Sequence, residues 1–209
     1  IRQYEEPAYV PQQAFILKDT FRANIIMNEP FEQERYDAVL DACQLRKDIL
    51  RLGDSKDLTI VLPKMLSIGM RVKLSFARAA YSRKKLIVAD DAISNLDVRT
   101  TSALTQSLLL GFLKKENRTI LLVTHTPQVV SKADRVILVN NNSIVFSGSR
   151  AEFKEEGYDV QNLAELTEFI SQKERENSHK QMLNRLRTFR ANLTNTLGSA
   201  ALAQSFTAG

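Results

Sequence analysis

Residues 86–91 read Leu-Ile-Val-Ala-Asp-Asp, four apolar residues closed by two adjacent carboxylates. Residues 119–125 read Thr-Ile-Leu-Leu-Val-Thr-His, a second apolar run that closes on an imidazole. Two acids after an apolar strand suit Mg²⁺, which takes one or two carboxylates and completes its shell with water and substrate phosphates. Beside such a metal-bound nucleotide, the second acid can act as a general base. Taken alone, the same pair also suits a helix cap and a solvated turn, and His125 also suits a packed or capping histidine. Ser67 adds a third feature. It opens a helical pattern, and a helix N-terminus presents unpaired N–H groups and the positive end of a dipole to a phosphate. Gly69 permits close backbone approach there. A plain N-cap is the competing reading of Ser67.

These residues need elements to hold them. The runs 86–90 and 119–123 read as strands buried on both faces, the kind a parallel sheet requires. Ala8-Tyr9-Val10 is a shorter extended stretch that Pro11 stops. Asp19 is a good N-cap for a short helix through Ile25-Ile26. Residues 31–52 form one helical pattern, with Tyr36, Val39, Leu40 and Cys43 on one face. Gly53 and Asp54 break it, and residues 54–66 are irregular around Pro63. A helix from Ser67 runs through Tyr81, and another covers 98–113. Thr126-Pro127 looks like an N-cap with Pro at the first helical position, starting a helix to about Ala133. Residues 135–139 and 144–146 read as strands joined by the turn-rich Asn140-Asn141-Asn142-Ser143. Strands alternating with helices from 86 to 146 predict an α/β sheet with helices packed on it. The block 19–81 predicts a helical lobe. Asp159 is a candidate cap for a helix carrying Leu163, Leu166 and Ile170, and 171–209 reads as a linker or tail. In open parallel sheets ligands collect at the carboxyl ends of the strands. That rule sends Asp90, Asp91 and His125 to one edge.

The composition sets limits. The chain has 209 residues, with 44% apolar and 25% charged, as ordinary globular proteins do. One cysteine, Cys43, excludes a disulfide framework, and His125 and His179 lie too far apart to form a metal motif by spacing. No apolar run approaches the ~18 residues of a membrane span. The net charge is +5, and the first 150 residues hold 22 Lys and Arg against 16 Asp and Glu. Those cations are scattered and not interleaved with aromatics, so no nucleic-acid partner is expected.

The order of the elements carries more than any one of them. Ala8-Tyr9-Val10-Pro11-Gln12-Gln13 comes first, then Leu66-Ser67-Ile68-Gly69-Met70-Arg71. Residues 86–91, Ser94-Asn95-Leu96-Asp97 and Val123-Thr124-His125 follow. This series resembles the ATP-binding domain of an ABC transporter, nearest to subfamily C, the multidrug-resistance-associated and cystic-fibrosis-channel group. The resemblance spans residues 8 to 150. It implies an α/β, partial P-loop NTPase-like core with a parallel sheet plus a helical subdomain. The implied divisions are 1–18 for the Q-loop segment, 19–81 for the helical subdomain, 82–157 for the rest of the core, and 158–209 for a terminal helix and linker. The implied ligands are ATP and Mg²⁺.

The resemblance implies a role for each matching residue. Gln12 is the Q-loop glutamine that senses the metal and the γ-phosphate. Asp90 holds Mg²⁺ through water, and Asp91 stands at the position of the general base. His125 is the switch histidine on the γ-phosphate. Asp97 crosses the dimer seam. Ser67 and Gly69 belong to the signature that binds the ATP held by a second ATP-binding domain. That second domain and transmembrane domains are the implied partners, with the ATP-binding domain on the cytoplasmic side of a membrane.

Three departures from the family pattern matter. The signature LSGGQ reads LSIGM here, so Ile68 puts a branched side chain where a phosphate must approach, and Met70 removes an amide. The usual glutamate base is Asp91, shorter by one C–C bond, about 1.5 Å. Subfamily C often carries Asp there in its first ATP-binding domain, at a slow or non-hydrolysing site. None of the seven glycines fits the G-x-x-x-x-G-K-[ST] loop that cradles phosphates. The sequence opens at Ile1 without an initiator Met, and that loop is expected upstream of it. The expectation is therefore a portion of a first ATP-binding domain that couples ATP binding and slow hydrolysis to transport. The alternatives are an inert regulatory module that keeps the fold without the chemistry, and a soluble ABC ATPase of DNA repair or translation. Arg185 and Arg187 before Thr188 resemble a basic-directed phosphorylation site, which also suits a solvated charged tail.

Overall fold

The computed structural model describes residues 6–52, 56–140 and 142–158, with 172, 173, 175, 176, 180–184 and 187. The helix expected from Asp159, the break at Gly53-Asp54, His179 and the Thr188 motif lie outside the described residues. The chain divides into two compact units, Ile1–Asp134 and Arg135–Gly209.

The first unit is built on strands β1 (Ala8–Val10), β4 (Leu86–Asp90) and β5 (Thr119–Val123), all parallel in the order β1-β4-β5. Val10 pairs with Ala89, and Asp90 with Val123. Parallel neighbours need long crossovers. The helical block fills the first, between β1 and β4. Helix α5 (Val98–Leu104), which continues as a π-helix over Thr105–Leu113, fills the second. The sequence predicts strands buried on both faces, and here the structure differs. Val10, Ile87 and Ala89 are buried beneath the helices, whereas Tyr9, Leu121 and Val123 on the other face are half-exposed. Among the described residues no helix covers that second face.

In the helical block a short antiparallel pair, β2 (Asp19–Thr20) with β3 (Ile60–Val61), brackets helices α1 (Phe21–Ile26), α2 (Gln33–Ala42) and α3 (Arg46–Leu50). Thr20, and not Asp19, caps α1, its side chain accepting from Ala23 N at 2.9 Å. Asp19 is instead paired with Val61 in the strand. Residues 60–61 thus become strand where the sequence reads irregular. The single helix expected over 31–52 is two. Gln44 has φ 57°, and Leu45 N bonds back to Leu40 O at 2.9 Å, which closes α2. Cys43 and Leu45, on either side of that turn, are both fully buried. The fourth helix, α4 (Ile68–Tyr81), buries Val72, Leu74, Phe76, Ala77, Ala79 and Ala80. One apolar cluster joins these residues to Phe21, Ile25, Val39, Ile87, Ile93, Leu104 and Leu108. Helical block and sheet therefore share a core.

Two arginines close the end of α4. Arg118 donates to Ala79 O, Ala80 O and Lys84 O, each at 2.7 Å. Arg35 on α2 donates to Ala80 O and Tyr81 O, and reaches Glu116 at 2.6 Å. The orphan carbonyls of the helix end are thus satisfied by charged donors, the stronger kind of hydrogen bond. Helix α6 (Pro127–Val130) starts where the Thr126-Pro127 signal places it and stops earlier than Ala133.

The second unit pairs β6 (Arg135–Asn140) with β7 (Ser143–Ser149), antiparallel, with a register irregularity at Leu138/Val139. Helix α7 (Arg150–Glu155) follows directly, started by a reciprocal cap between Ser149 and Glu152. Phe146, Phe153 and Tyr158 form its small aromatic core, with ring centroids 5.0–5.5 Å apart.

Candidate functional site

Because β1, β4 and β5 run parallel, the residues that leave their carboxyl ends meet at one edge. Gln12 follows β1 across Pro11. Asp90 ends β4, and His125 lies just past β5. Asp91 adopts a left-handed backbone, φ 44°, which Asp tolerates better than most residues. Its N–H donates to Val123 O at 2.9 Å, so the turn is stitched to the neighbouring strand. Ser94 Oγ donates to Asp91 O at 2.8 Å and holds the turn from the other side.

That backbone aims the Asp91 carboxylate between its neighbours. Gln12 Nε2 donates to Asp91 Oδ2 at 3.2 Å. His125 Nδ1 stands 3.2 Å from Asp91 Oδ1, an oxygen shielded from solvent that accepts no hydrogen bond. The His125 side chain is 60% exposed and the Asp91 side chain 20%. The histidine thus stands open to an incoming group while the carboxylate is half enclosed. Asp90 is exposed on the open face of the sheet, where Tyr9 OH donates to its Oδ2 at 3.4 Å. Sequence reasoning missed Tyr9. Strand alternation was the available signal, since Tyr9 pairs with Val88 and so shares a sheet face with Asp90, two residues on.

Ser67 and Asp97 make their recorded hydrogen bonds elsewhere. Ser67 caps α4, its Oγ accepting from Met70 N at 3.1 Å. Asp97 caps α5, its Oδ1 accepting from Thr100 N at 3.0 Å. Hydrogen bonds from Thr100, side chain and backbone, hold the Asp97 carboxyl below its ordinary pKa. Ser67 therefore does the capping that its competing reading describes, and Asp97 caps a helix as well. The start of α4 is nevertheless exposed. Ile68 projects there with 56% of its surface in solvent, and Gly69 beside it has room for a Cβ at ordinary contact distance. Nothing among the described residues requires glycine at position 69.

Among the described residues no three His, Cys, Asp or Glu side chains gather closely enough to hold a metal by themselves. The donors at the edge fit Mg²⁺ all the same. Asp90 and the Gln12 carbonyl are hard oxygens, and Mg²⁺ takes few protein ligands beside water and phosphate.

The sequence aligns with transporters. It is 34% identical over 158 residues to ABC transporter C family member 2 of Dictyostelium discoideum, covering 75% of this chain and 11% of that protein. It is 38% identical over 153 residues to the pleiotropic ABC efflux transporter of multiple drugs YBT1 of Candida glabrata, covering 72% and 9%. Human ATP-binding cassette sub-family C member 8 matches at 34% over 155 residues, covering 74% and 10%. The chain belongs to the ABC transporter C family. It is a segment of that family's ATP-binding domain, and it spans about a tenth of the length of these relatives. No family model matches the chain. The parallel sheet with its helical block is the α/β core expected of this family. No described helix of this ABC domain is long and apolar enough to cross a membrane.

Proposed function

We propose that the edge formed by Gln12, Asp90, Asp91 and His125 handles the γ-phosphate of Mg²⁺-bound ATP, in the first ATP-binding domain of a subfamily C transporter. The observation that carries this reading is the Asp91 carboxylate, contacted by Gln12 from the β1 side and faced by His125 from the β5 side. Such an arrangement suits phosphoryl transfer to water, where the protein's work is positioning and charge stabilisation. Asp91 accepts a proton from, and orients, the attacking water. His125, exposed and steadied beside Asp91, donates to a γ-phosphate oxygen. Gln12 couples the Asp91 carboxylate to the loop that leaves β1. Mg²⁺ supplies positive charge at the phosphates, and Asp90 with the Gln12 carbonyl are the groups that would hold it, Asp90 through water.

Asp91 is one C–C bond shorter than a glutamate, about 1.5 Å. A misplacement of that size slows chemistry on the order of a hundredfold. The site therefore favours binding over turnover. A second ATP-binding domain would approach the start of α4, and transmembrane domains would convert the closure into transport. The ATP-binding domain lies on the cytoplasmic side of that membrane.

Photolabelling of the full-length protein with an azido-ATP tests this. Mg²⁺-dependent labelling that Asp90→Asn removes is the expected result. Labelling that is absent, or indifferent to Mg²⁺, overturns it in favour of an inert regulatory module. Ile68 favours that second reading, since its exposed side chain crowds the helix start that a phosphate would need.

A further inference from the structure

Gln12 sits at one end of the loop 11–18, between β1 and β2. The other end is tied to two helices. Leu17 N donates to Asn24 Oδ1 at 2.8 Å, and Asn24 Nδ2 donates back to Leu17 O and to Thr20 O, each at 3.0 Å. Asn24 is completely buried, so these bonds are not shared with water. Arg78, on α4, donates Nε to Asn24 O at 3.0 Å and Nη2 to Phe15 O at 3.4 Å. Its guanidinium stands 4.0 Å from the centre of the Phe15 ring. Burial pulls the Arg78 pKa down to about 10, which still leaves it cationic at neutral pH.

The loop is thus strung between two fixed points. At one, Gln12 meets Asp91. At the other, Phe15 and Leu17 meet Asn24 of α1 and Arg78 of α4. A glutamine on an untethered loop pays the entropy of ordering that loop each time it engages. A flat, charged fork bonded to two backbone carbonyls and stacked on a ring removes that cost in advance. We propose that Arg78, acting with Asn24 and Phe15, is a positioning residue for Gln12: it pins the far end of the loop to the helix that begins at Ser67, and so keeps the Gln12 amide at the Asp91 carboxylate. Arg78 touches neither the carboxylate nor the phosphate position, and it acts only through the loop. The same tie links the loop to the helix whose start bears the signature residues, so a shift of α4 is felt at Gln12.

This inference rests on the reading that Gln12 works at the phosphate edge, yet its test needs no nucleotide. The ¹⁵N-labelled 209-residue chain is compared with Arg78→Lys, which keeps the charge and loses the fork, and with Phe15→Leu. Phe15 is 49% exposed, so its replacement leaves the core intact. Two signals are read. One is exchange of the Leu17 backbone amide. The other is the shift of the Gln12 side-chain amide resonance that Asp91→Asn produces. In both variants Leu17 is expected to exchange about tenfold faster, the scale of one hydrogen bond from a charged group for Arg78→Lys and of the lost ring–guanidinium contact for Phe15→Leu. Ala89 and Leu122 in β4 and β5 keep their rates, and the Gln12 response to Asp91→Asn is largely lost. An unchanged Leu17 rate, an intact Gln12 response, or acceleration spread evenly over β4 and β5 would each overturn the proposal. The last would mark Arg78 as a general brace of the fold. Failed photolabelling with a positive result here would discard the ATP reading and keep the loop tie.

Discussion

His125 Nδ1 stands 3.2 Å from Asp91 Oδ1, while Gln12 Nε2 donates to Asp91 Oδ2 at the same distance. One carboxylate thereby lies between groups from both neighbouring strands, hydrogen-bonded by the residue 79 positions before it and faced by the residue 34 after it in the chain. The central strand β4 supplies the acid, and each flanking strand supplies one group to orient it.

That geometry predicts a split between binding and chemistry. On the proposed function, His125→Ala in the full-length protein is expected to lower Mg²⁺-ATP hydrolysis by about a hundredfold or more, the usual scale for a lost charge-stabilising donor. Azido-ATP labelling should persist, because the side chain is largely exposed and supports little of the fold. Steady-state ATPase assays and labelling on the same preparations check both. Equal loss of labelling and turnover would place His125 in binding alone.

Ser67→Ala removes the cap of α4. Loss of a serine cap costs about 1 kcal/mol. The melting temperature of the chain should fall by roughly 2–4 °C, on the scaling for domains of this size. Ser67→Asp keeps an acceptor for Met70 N and should restore the melting temperature. Thermal unfolding followed by circular dichroism decides it.

Glu116 predicts a pH dependence. Burial pushes its pKa up, but the hydrogen bonds and charge of Arg35, with Arg118 behind, outweigh that and hold it below the ordinary 4.5. A carboxyl whose folded pKa is depressed contributes stability above its unfolded pKa and loses it as pH falls through the folded one. Wild type should therefore lose more stability than Glu116→Gln as the solution is acidified below about pH 4.5. Urea unfolding at neutral and acid pH measures the difference. Equal losses would mean that the Arg35 pair carries no net linkage.

Gly111→Ala should destabilise, although alanine is ordinarily the better helix former by about 1 kcal/mol. Gly111 lies in the π-helical stretch, and a Cβ there would stand 2.9 Å from the Gln106 carbonyl oxygen. A backbone oxygen cannot swing away as a side chain can, so one of the two must shift, at a cost of roughly 1–3 kcal/mol. A rise in the urea midpoint for Gly111→Ala would show that the helix relaxes into the ordinary α form.

Much of the site could be read from the order of the residues because a parallel sheet is one-sided in a chemical sense. Apolar runs that end in Asp90-Asp91 and His125 deliver those side chains to the same edge once the strands run the same way. Ser67 and Thr126-Pro127 likewise mark helix starts by local chemistry, and each stands where its signal predicts. The elements that were misread depend on long-range partners. Nothing within residues 31–52 announces the turn at Gln44. Cys43 and Leu45, on either side of it, are both buried in a core contributed largely by other segments. Asp19 yields its capping role to Thr20 because Val61, 42 residues on, takes it into a strand. Tyr9 reaches Asp90 only through the pairing of β1 with β4.

The sequence by itself determined most of the strands and helices of an α/β core, which residue types end the strands, and the family to which their order belongs. Local propensity, capping chemistry and hydrophobic period act within a few residues and are written in the chain. Tertiary structure alone decided that the Asp91 carboxylate lies between Gln12 and His125, and that Arg78 reaches the loop carrying Gln12. Each of these depends on bringing together residues dozens of positions apart, and only the packing of one shared core fixes such distances.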